Sequence, residues 1–178
     1  KKLYGVVLLV GLMLIMMTGE TMKGKTIDVK IAHECLASVK DEIKPLLEKH
    51  WEMVALNKGT IKLNPDWKEY ARLDAAGVLR AFTARKNGEL IGYCVLIVSQ
   101  SIHYSDHVFA NNDVTFVLPE HREGATGYHL IKYAEEHCQE NGVSLLNINT
   151  KVHIPFDSLL TRMGFDLIER IYSKCFKG

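Results

Sequence analysis

The chain has 178 residues, with 22 Lys and Arg against 21 Asp and Glu, and is 47% hydrophobic and 24% charged. That length supports one ordinary domain, and the composition excludes a mostly disordered chain, a collagen-like fibre and a polytopic membrane protein. Lys1, Lys2 and Glu20 account for the whole net charge of +1, so residues 22–178 are neutral. A neutral body has no surplus of positive charge with which to release counterions from phosphates, and nucleic acid is not an expected partner.

Leu3 to Met17 is an unbroken apolar run behind two lysines. As a helix it would extend about 22 Å, short of the roughly 30 Å hydrocarbon core of a bilayer. The layout resembles a signal peptide, but Met17-Thr18-Gly19-Glu20 lacks the small residues of a cleavage site. Residues 1–21 therefore read as a leader, an anchor, or an extension upstream of a natural start at Met22, and the last is favoured. Residues 22–178 carry no linker, repeat or low-complexity tract and form one domain. Cys35, Cys94, Cys138 and Cys175 include no C-x-x-C pair, and they read as reduced core residues rather than a disulfide or zinc framework.

Thr26 to Ile31 alternates as a first strand. His33 to Val54 has helical spacing, with Cys35, Val39, Ile43, Leu46, Leu47 and Trp51 on one broad face. Asn64 as N-cap and Pro65 at the first position open a second helix that Gly77 ends. Arg80 to Arg85 and Leu90 to Ser99 are strands joined by an Asn87-Gly88 hairpin turn. Val108 to Leu118 is a further strand, and Gly127 to Asn141 is an amphipathic helix with Leu130, Ile131, Ala134 and Cys138 on its apolar side. Ser144 to Thr150 is a strand, Pro155 to Met163 a short helix, and Asp166 to Phe176 a final strand. The order is β-α-α-β-β-β-α-β-α-β, an α+β chain with antiparallel hairpins first and one βαβ crossover over residues 108–150.

The stretch most informative for chemistry is Val117-Leu-Pro-Glu-His-Arg122-Glu-Gly-Ala125-Thr-Gly127-Tyr128, between a strand and a helix. Small residues at 124, 125 and 127 let a ligand approach the backbone. The first N–H groups of the following helix are unpaired and sit at the positive end of its dipole. Together they suit a pyrophosphate, to which Arg122 can add a charge-assisted bond. The plain alternative is an ordinary strand-to-helix loop.

Arg122-x-x-Ala125-x-Gly127 behind Leu118-Pro119-Glu120 resembles the acetyl-CoA-binding motif of the GNAT acetyltransferases. Gly88 to Tyr93 is similar to the family's second-to-third-strand hairpin, and Leu159 to Phe165 to its late helix ending in Gly-Phe. The block from Asp66 to Lys174 resembles most the members encoded by phages and prophages. The resemblance covers residues 26–176 and implies a twisted mixed sheet with helices on both faces. It implies acetyl-CoA as co-substrate and an amine as acceptor, with no metal. Val117 and Leu118 would bond the pantetheine arm through their backbones, where strands four and five splay apart. Arg122, Glu123, Gly124, Ala125, Thr126, Gly127 and Tyr128 would hold the pyrophosphate. His153 stands where the family often has a cofactor-contacting Asn; its other reading is a cap on the helix after Pro155.

A lysine-like amine, with a pKa of ~10.4, is neutral only about once in a few thousand molecules at pH 7, so a base is needed. Asp113 is the first candidate, with His103 and Tyr104 behind it. The competing reading makes residues 111–113 a bulge or turn and His103-Tyr104 a strand-end cap. Many members of the family carry a Tyr acid four residues before the Gly of Gly-Phe, and this chain has Leu160 there. That absence keeps open a second reading, a non-catalytic acyl-CoA-binding or phage interaction module. His103, Asp106 and His107 are a weak metal candidate without a fourth partner. The cofactor implies the cytoplasm, membrane tethering through residues 3–17 being the alternative, and the final strand raises the possibility of a homodimer.

Overall fold

The computed structural model describes residues 29–176. Strands β1 (Val29–Glu34), β2 (Leu79–Lys86), β3 (Glu89–Gln100), β4 (Val108–Val117) and β5 (Val143–Asn147) form one sheet in sequence order. The first four pair antiparallel and β4 pairs parallel with β5. The helices are α1 (Leu36–Val54), α2 (Trp67–Ala75), α3 (Thr126–Glu140) and α4 (Asp157–Arg162). This is a mixed α+β fold with a parallel crossover through α3, as the sequence implied.

Side-chain alternation divides the sheet into two faces. Phe82 of β2 meets Tyr133 and His137 of α3, whereas Phe116 of β4 meets His50 of α1. α1 and α2 therefore cover one face and α3 the other. The buried stripe of α1 is Leu36, Val39, Ile43 and Leu46, a 3-4-3 spacing that keeps one side of the helix on the core. Asp74 of α2 ties the two helices together: its Oδ2 accepts from Leu36 N (2.9 Å) and from Cys35 Sγ (3.0 Å) at the start of α1.

The element boundaries show what the sequence did not reveal. α2 starts at Trp67, two residues late, because the Asp66 carboxylate rather than Asn64 accepts from Lys68 N and Glu69 N, both at 3.0 Å. β5 ends at Asn147 instead of Thr150, where its pairing with β4 stops. Asp166 to Phe176 forms no strand, because no described residue pairs with its backbone. Cys94 and Cys138 are buried as expected, and burial pushes the Cys94 thiol up to about 12. Cys35 is exposed.

At Gly92, β4 leaves no room for a side chain on β3. A Cβ there would lie 2.9 Å from the Phe116 carbonyl oxygen and 3.0 Å from Val117 Cγ2. Gly92→Ala must push β4 aside, and the expected loss is about 1–3 kcal/mol of stability. Urea unfolding of the variant would measure it, and an unchanged midpoint would show that β4 yields freely.

Candidate functional site

β4 positions the site, and two irregularities in it do the work. The first is a bulge: Val95 pairs with Val114 and Leu96 with Asn112, so Asp113 has no partner on β3. A bulge turns a side chain out of strict alternation. Here it brings Asp113 onto the face of Phe116 and α2, where Tyr70 of α2 donates to Asp113 Oδ2 at 2.6 Å. The bulge reading and the functional reading of residues 111–113 are thus compatible.

The second irregularity is a splay. β4 pairs with β5 only over residues 108–111, while its pairing with β3 runs on to Val117. Two pairs of asparagines close the vertex: Asn147 Nδ2 donates to Asn111 Oδ1 (2.9 Å), and Asn149 N donates to Asn112 Oδ1. Beyond them the edge of β4 is open. Leu118 N donates to Ile91 O of β3 at 2.8 Å, and antiparallel alternation then turns the N–H and C=O groups of Val117 and Thr115 away from β3, into the gap.

The mouth of the gap is the loop before α3. Ala125 stands at the N-cap and supplies no side-chain bond. From Glu123 to Tyr128 no backbone N–H finds a protein acceptor among the described residues, and the first to do so is His129, to Ala125 O at 2.8 Å. Gly124 has φ +118°, a conformation that favours glycine. Six consecutive free donors at a helix start suit an anion. Beside the first turns of α3, Tyr128, Lys132, Glu135, Arg162 and Met163 line a hollow of about 130 Å³.

Other sequence-derived candidates lie differently. Arg122 does not reach over the loop: its Nε donates to Val117 O at 2.8 Å, and its guanidinium lies 5.5 Å from the centre of the Phe116 ring. Leu118 spends both backbone groups internally, its N–H on Ile91 and its C=O on His121 N (2.9 Å), so Thr115 replaces it as a free edge residue. His103 and Tyr104 are exposed on the β3–β4 loop, beside the first residues of β4. Five strand residues, roughly 17 Å, separate that end from Asp113, and the structure does not bring them together. His107 Nδ1 lies 3.0 Å from Ser144 Oγ, and among the described residues no His, Cys, Asp and Glu group could hold a metal ion. His153 is exposed in a loop closed by the Lys151–Ile154 bridge, and Phe156, not His153, is the N-cap of α4. Leu160 is buried. Glu52 pairs with Lys58 and Glu69 with Arg72, each at 2.7 Å.

Sequence reading missed His50 and Tyr70. His50 continues the α1 stripe (36, 39, 43, 46, 50), a spacing that signals burial, and its ring centre lies 5.1 Å from that of Phe116. Burial, and after it the charges of Lys151 and Arg122, push the imidazole down to about 4 against the pull of Asp113. The folded state therefore holds His50 neutral, and the unfolded chain binds more protons between pH 4 and the ordinary value of 6.5. This contribution to stability is complete above pH 6.5 and disappears as pH falls toward 4, on the order of 2–3 kcal/mol. Urea unfolding at pH 7 and pH 4.5 should show that loss in the parent chain and much less of it in His50→Gln. An equal loss in both would exonerate His50.

Comparison with known proteins agrees with this geometry. The family model described as Acetyltransferase (GNAT) family matches residues 41–165. Among curated proteins none matches the sequence. A ribosomal-protein-alanine N-acetyltransferase structure from Brucella melitensis biovar Abortus 2308 superposes with a TM-score of 0.60 at 20% identity, covering 84% of this chain and 99% of that one. An aminoglycoside acetyltransferase from an uncultured soil metagenomic sample, in complex with sisomicin, gives 0.64 at 14% identity, covering 84% and 97%. Glucosamine-6-phosphate N-acetyltransferase from Arabidopsis thaliana gives 0.63 at 13% identity, covering 84% and 99%. At these identities the superpositions establish the fold, and the family rests on the sequence match over residues 41–165. A splayed β4–β5 pair, an uncapped helix behind a small-residue loop and that match lead to one conclusion: this chain belongs to the GNAT family of acetyltransferases.

Proposed function

We propose that the chain transfers the acetyl group of acetyl-CoA to a primary amine in a ternary complex. The observation that carries this reading is the run of free N–H groups from Glu123 to Tyr128 at the mouth of the β4–β5 gap. Those donors would take the pyrophosphate, with Gly124 and Gly127 keeping the approach clear. The edge groups of Thr115 and the N–H of Val117, whose carbonyl is taken by Arg122, would bond the pantetheine arm. The hollow beside Tyr128, Lys132, Glu135 and Arg162 would receive the nucleotide end, with Arg162 facing phosphate charge while Lys132 pairs with Glu135. Bound there, acetyl-CoA supplies an activated thioester.

The residues of the chain then do three things. Free donors on the open edge of β4 polarise the thioester carbonyl. Asp113, exposed and held by Tyr70, takes one proton from the acceptor ammonium on its free oxygen; the freed lone pair then attacks the carbonyl, and the tetrahedral intermediate gives its second N–H proton to solvent as it collapses. The C–S bond breaks and coenzyme A leaves as thiolate. Leu160 cannot protonate it, and a thiol pKa near ~8.5 makes the unaided departure tolerable.

The acceptor is an amine of a small molecule or protein; an aminoglycoside, the substrate class named for one structural neighbour, belongs in the first panel tested. We take residues 22–178 as the catalytic unit of an enzyme of the phage-encoded type working in the cytoplasm; what supports the type is the resemblance of residues 66–174 to such members. Titration calorimetry with acetyl-CoA tests the binding step, and thiol release over an amine panel tests turnover. Failure to bind acetyl-CoA would overturn the proposal. Binding without turnover on any amine would favour a non-catalytic module, the reading to which the buried Leu160 points.

A further inference from the structure

Strand β2 carries two arginines, one on each face of the sheet, and their surroundings differ. Arg85 lies on the α1 face, where its guanidinium donates to both Glu34 and Glu42. Arg80 lies on the α3 face with Phe82, two residues along the strand. Its Nη1 is buried and has no hydrogen-bond partner. A guanidinium is charged at every working pH, carries only donors, and is costly to bury with an N–H unmet.

Two imidazoles lie at the same place. His33 of β1 pairs with Phe82 in register, and His137 comes from the last turn of α3. Their ring centres are 4.6 Å apart, and they stand 5.3 and 5.2 Å from the centre of the Phe82 ring. Burial, and after it the charges of His33 and Arg80, hold the His137 imidazole below its ordinary value, against the pull of Glu140. The other titratable side chains of α3 on this side are Tyr133, the buried Cys138 and the exposed Glu140. No ion pair among the described residues includes Arg80, His33 or His137. The carbonyls that end α3 are no substitute, since those of His137, Cys138 and Gln139 accept from Asn141 and Gly142. Groups able to donate thus converge from β1, β2 and α3 where the described residues supply no acceptor.

The chemistry of the cluster selects what completes it. The fixed charge of Arg80 repels a metal cation. A carboxylate is planar and is matched by the guanidinium fork alone. Donors arriving from three elements suit a group with acceptor oxygens in several directions, as a phosphate has.

We infer that Arg80, His33 and His137 form an anion site for a phosphate group, free or as a monoester, and that the anion enters together with protons on the imidazoles. His33 is exposed on the edge strand β1, and its side chain moves to admit the anion. The site is separate from the loop before α3: His137 lies twelve residues along that helix from Ala125, roughly 18 Å. The inference is therefore independent of the acetyltransferase reading.

Proton NMR of the His137 ring, assigned by its loss in His137→Gln, tests it on the full chain. At equal ionic strength, exchanging chloride for inorganic phosphate should raise the titration midpoint of His137 by about one pH unit, because a negative charge nearby favours the imidazolium. Arg80→Gln should abolish most of that rise. So should His33→Gln, an exposed change that leaves the core intact. Ala125→Asp, which puts a carboxylate into the loop before α3, should keep the rise in full. Sulfate, a dianion throughout, should bind at least about tenfold more weakly at pH 8 than at pH 6, as the imidazoles lose their protons. Glycerol phosphate tells the two sources apart: tighter binding than inorganic phosphate assigns a monoester, and equal or weaker binding the free ion. No rise with phosphate, a rise that persists in Arg80→Gln, a rise lost in Ala125→Asp, or an equal rise with acetate would overturn the inference.

Discussion

Asp113→Asn is expected to lower kcat/KM by a factor of about 100–10,000, the range by which a positioned general base contributes. The substitution keeps the size of the side chain and its bond from Tyr70, but removes the charge that attracts an ammonium and the oxygen that accepts its proton. Acetyl-CoA affinity should stay within about twofold, because Asp113 sits on the α1–α2 face and the anion loop is at the end of β4. Tyr70→Phe is the companion test. It frees Asp113 Oδ2 and removes one bond to a charged group, of the order of 1.5–3 kcal/mol. If Tyr70 aims the carboxylate, the variant should lose about tenfold in kcat and change KM for acetyl-CoA little. Thiol release with the amine returned by the panel reads both variants, and full activity in Asp113→Asn would take that residue out of the chemistry.

That pairing of Asp113 with Tyr70 shows where sequence reading stops. Period and punctuation located the five strands and four helices of the described residues within a few residues, because each reports a local choice: the Val- and Ile-rich run of β3, the Asn87-Gly88 turn, the α3 stripe of Leu130, Ile131, Ala134 and Cys138. The loop before α3 was legible for the same reason, since small residues and an uncapped helix start are adjacent in sequence. The acceptor side was not. Tyr70 and Asp113 are 43 residues apart and meet only because a bulge rotates one strand residue onto the face under α2. Asn111-Asn112-Asp113 read as a polar interruption; which of the three the bulge would turn depended on register with β3, a tertiary property. Arg122 stands in the opposite sense. Its motif position suggested a loop ligand, but a nearby carbonyl on Val117 and the Phe116 ring offered the guanidinium partners closer at hand. The last strand failed for want of a partner, which no periodicity within one chain reports.

Ala125→Asp separates stability from binding at the loop. Aspartate is among the best N-cap residues and alanine among the poor ones. At position 125 its carboxylate would accept from the N–H of Gly127 or Tyr128, both free in the parent chain. It would also place a negative charge at the positive end of α3. The fold should therefore be unchanged or gain about 0.5–1 kcal/mol. The same carboxylate occupies donors that a pyrophosphate requires and repels it. One charged hydrogen bond is worth about 1.5–3 kcal/mol, and with repulsion added the dissociation constant for acetyl-CoA should rise about 100-fold. Ala125→Asn, a neutral cap of the same shape, should bind between the two. Thermal melting and calorimetry on the three proteins give the answer together. A more stable Ala125→Asp that still bound acetyl-CoA like the parent would mean that these six N–H groups are not its anchor, and the cofactor would have to be sought away from the head of α3.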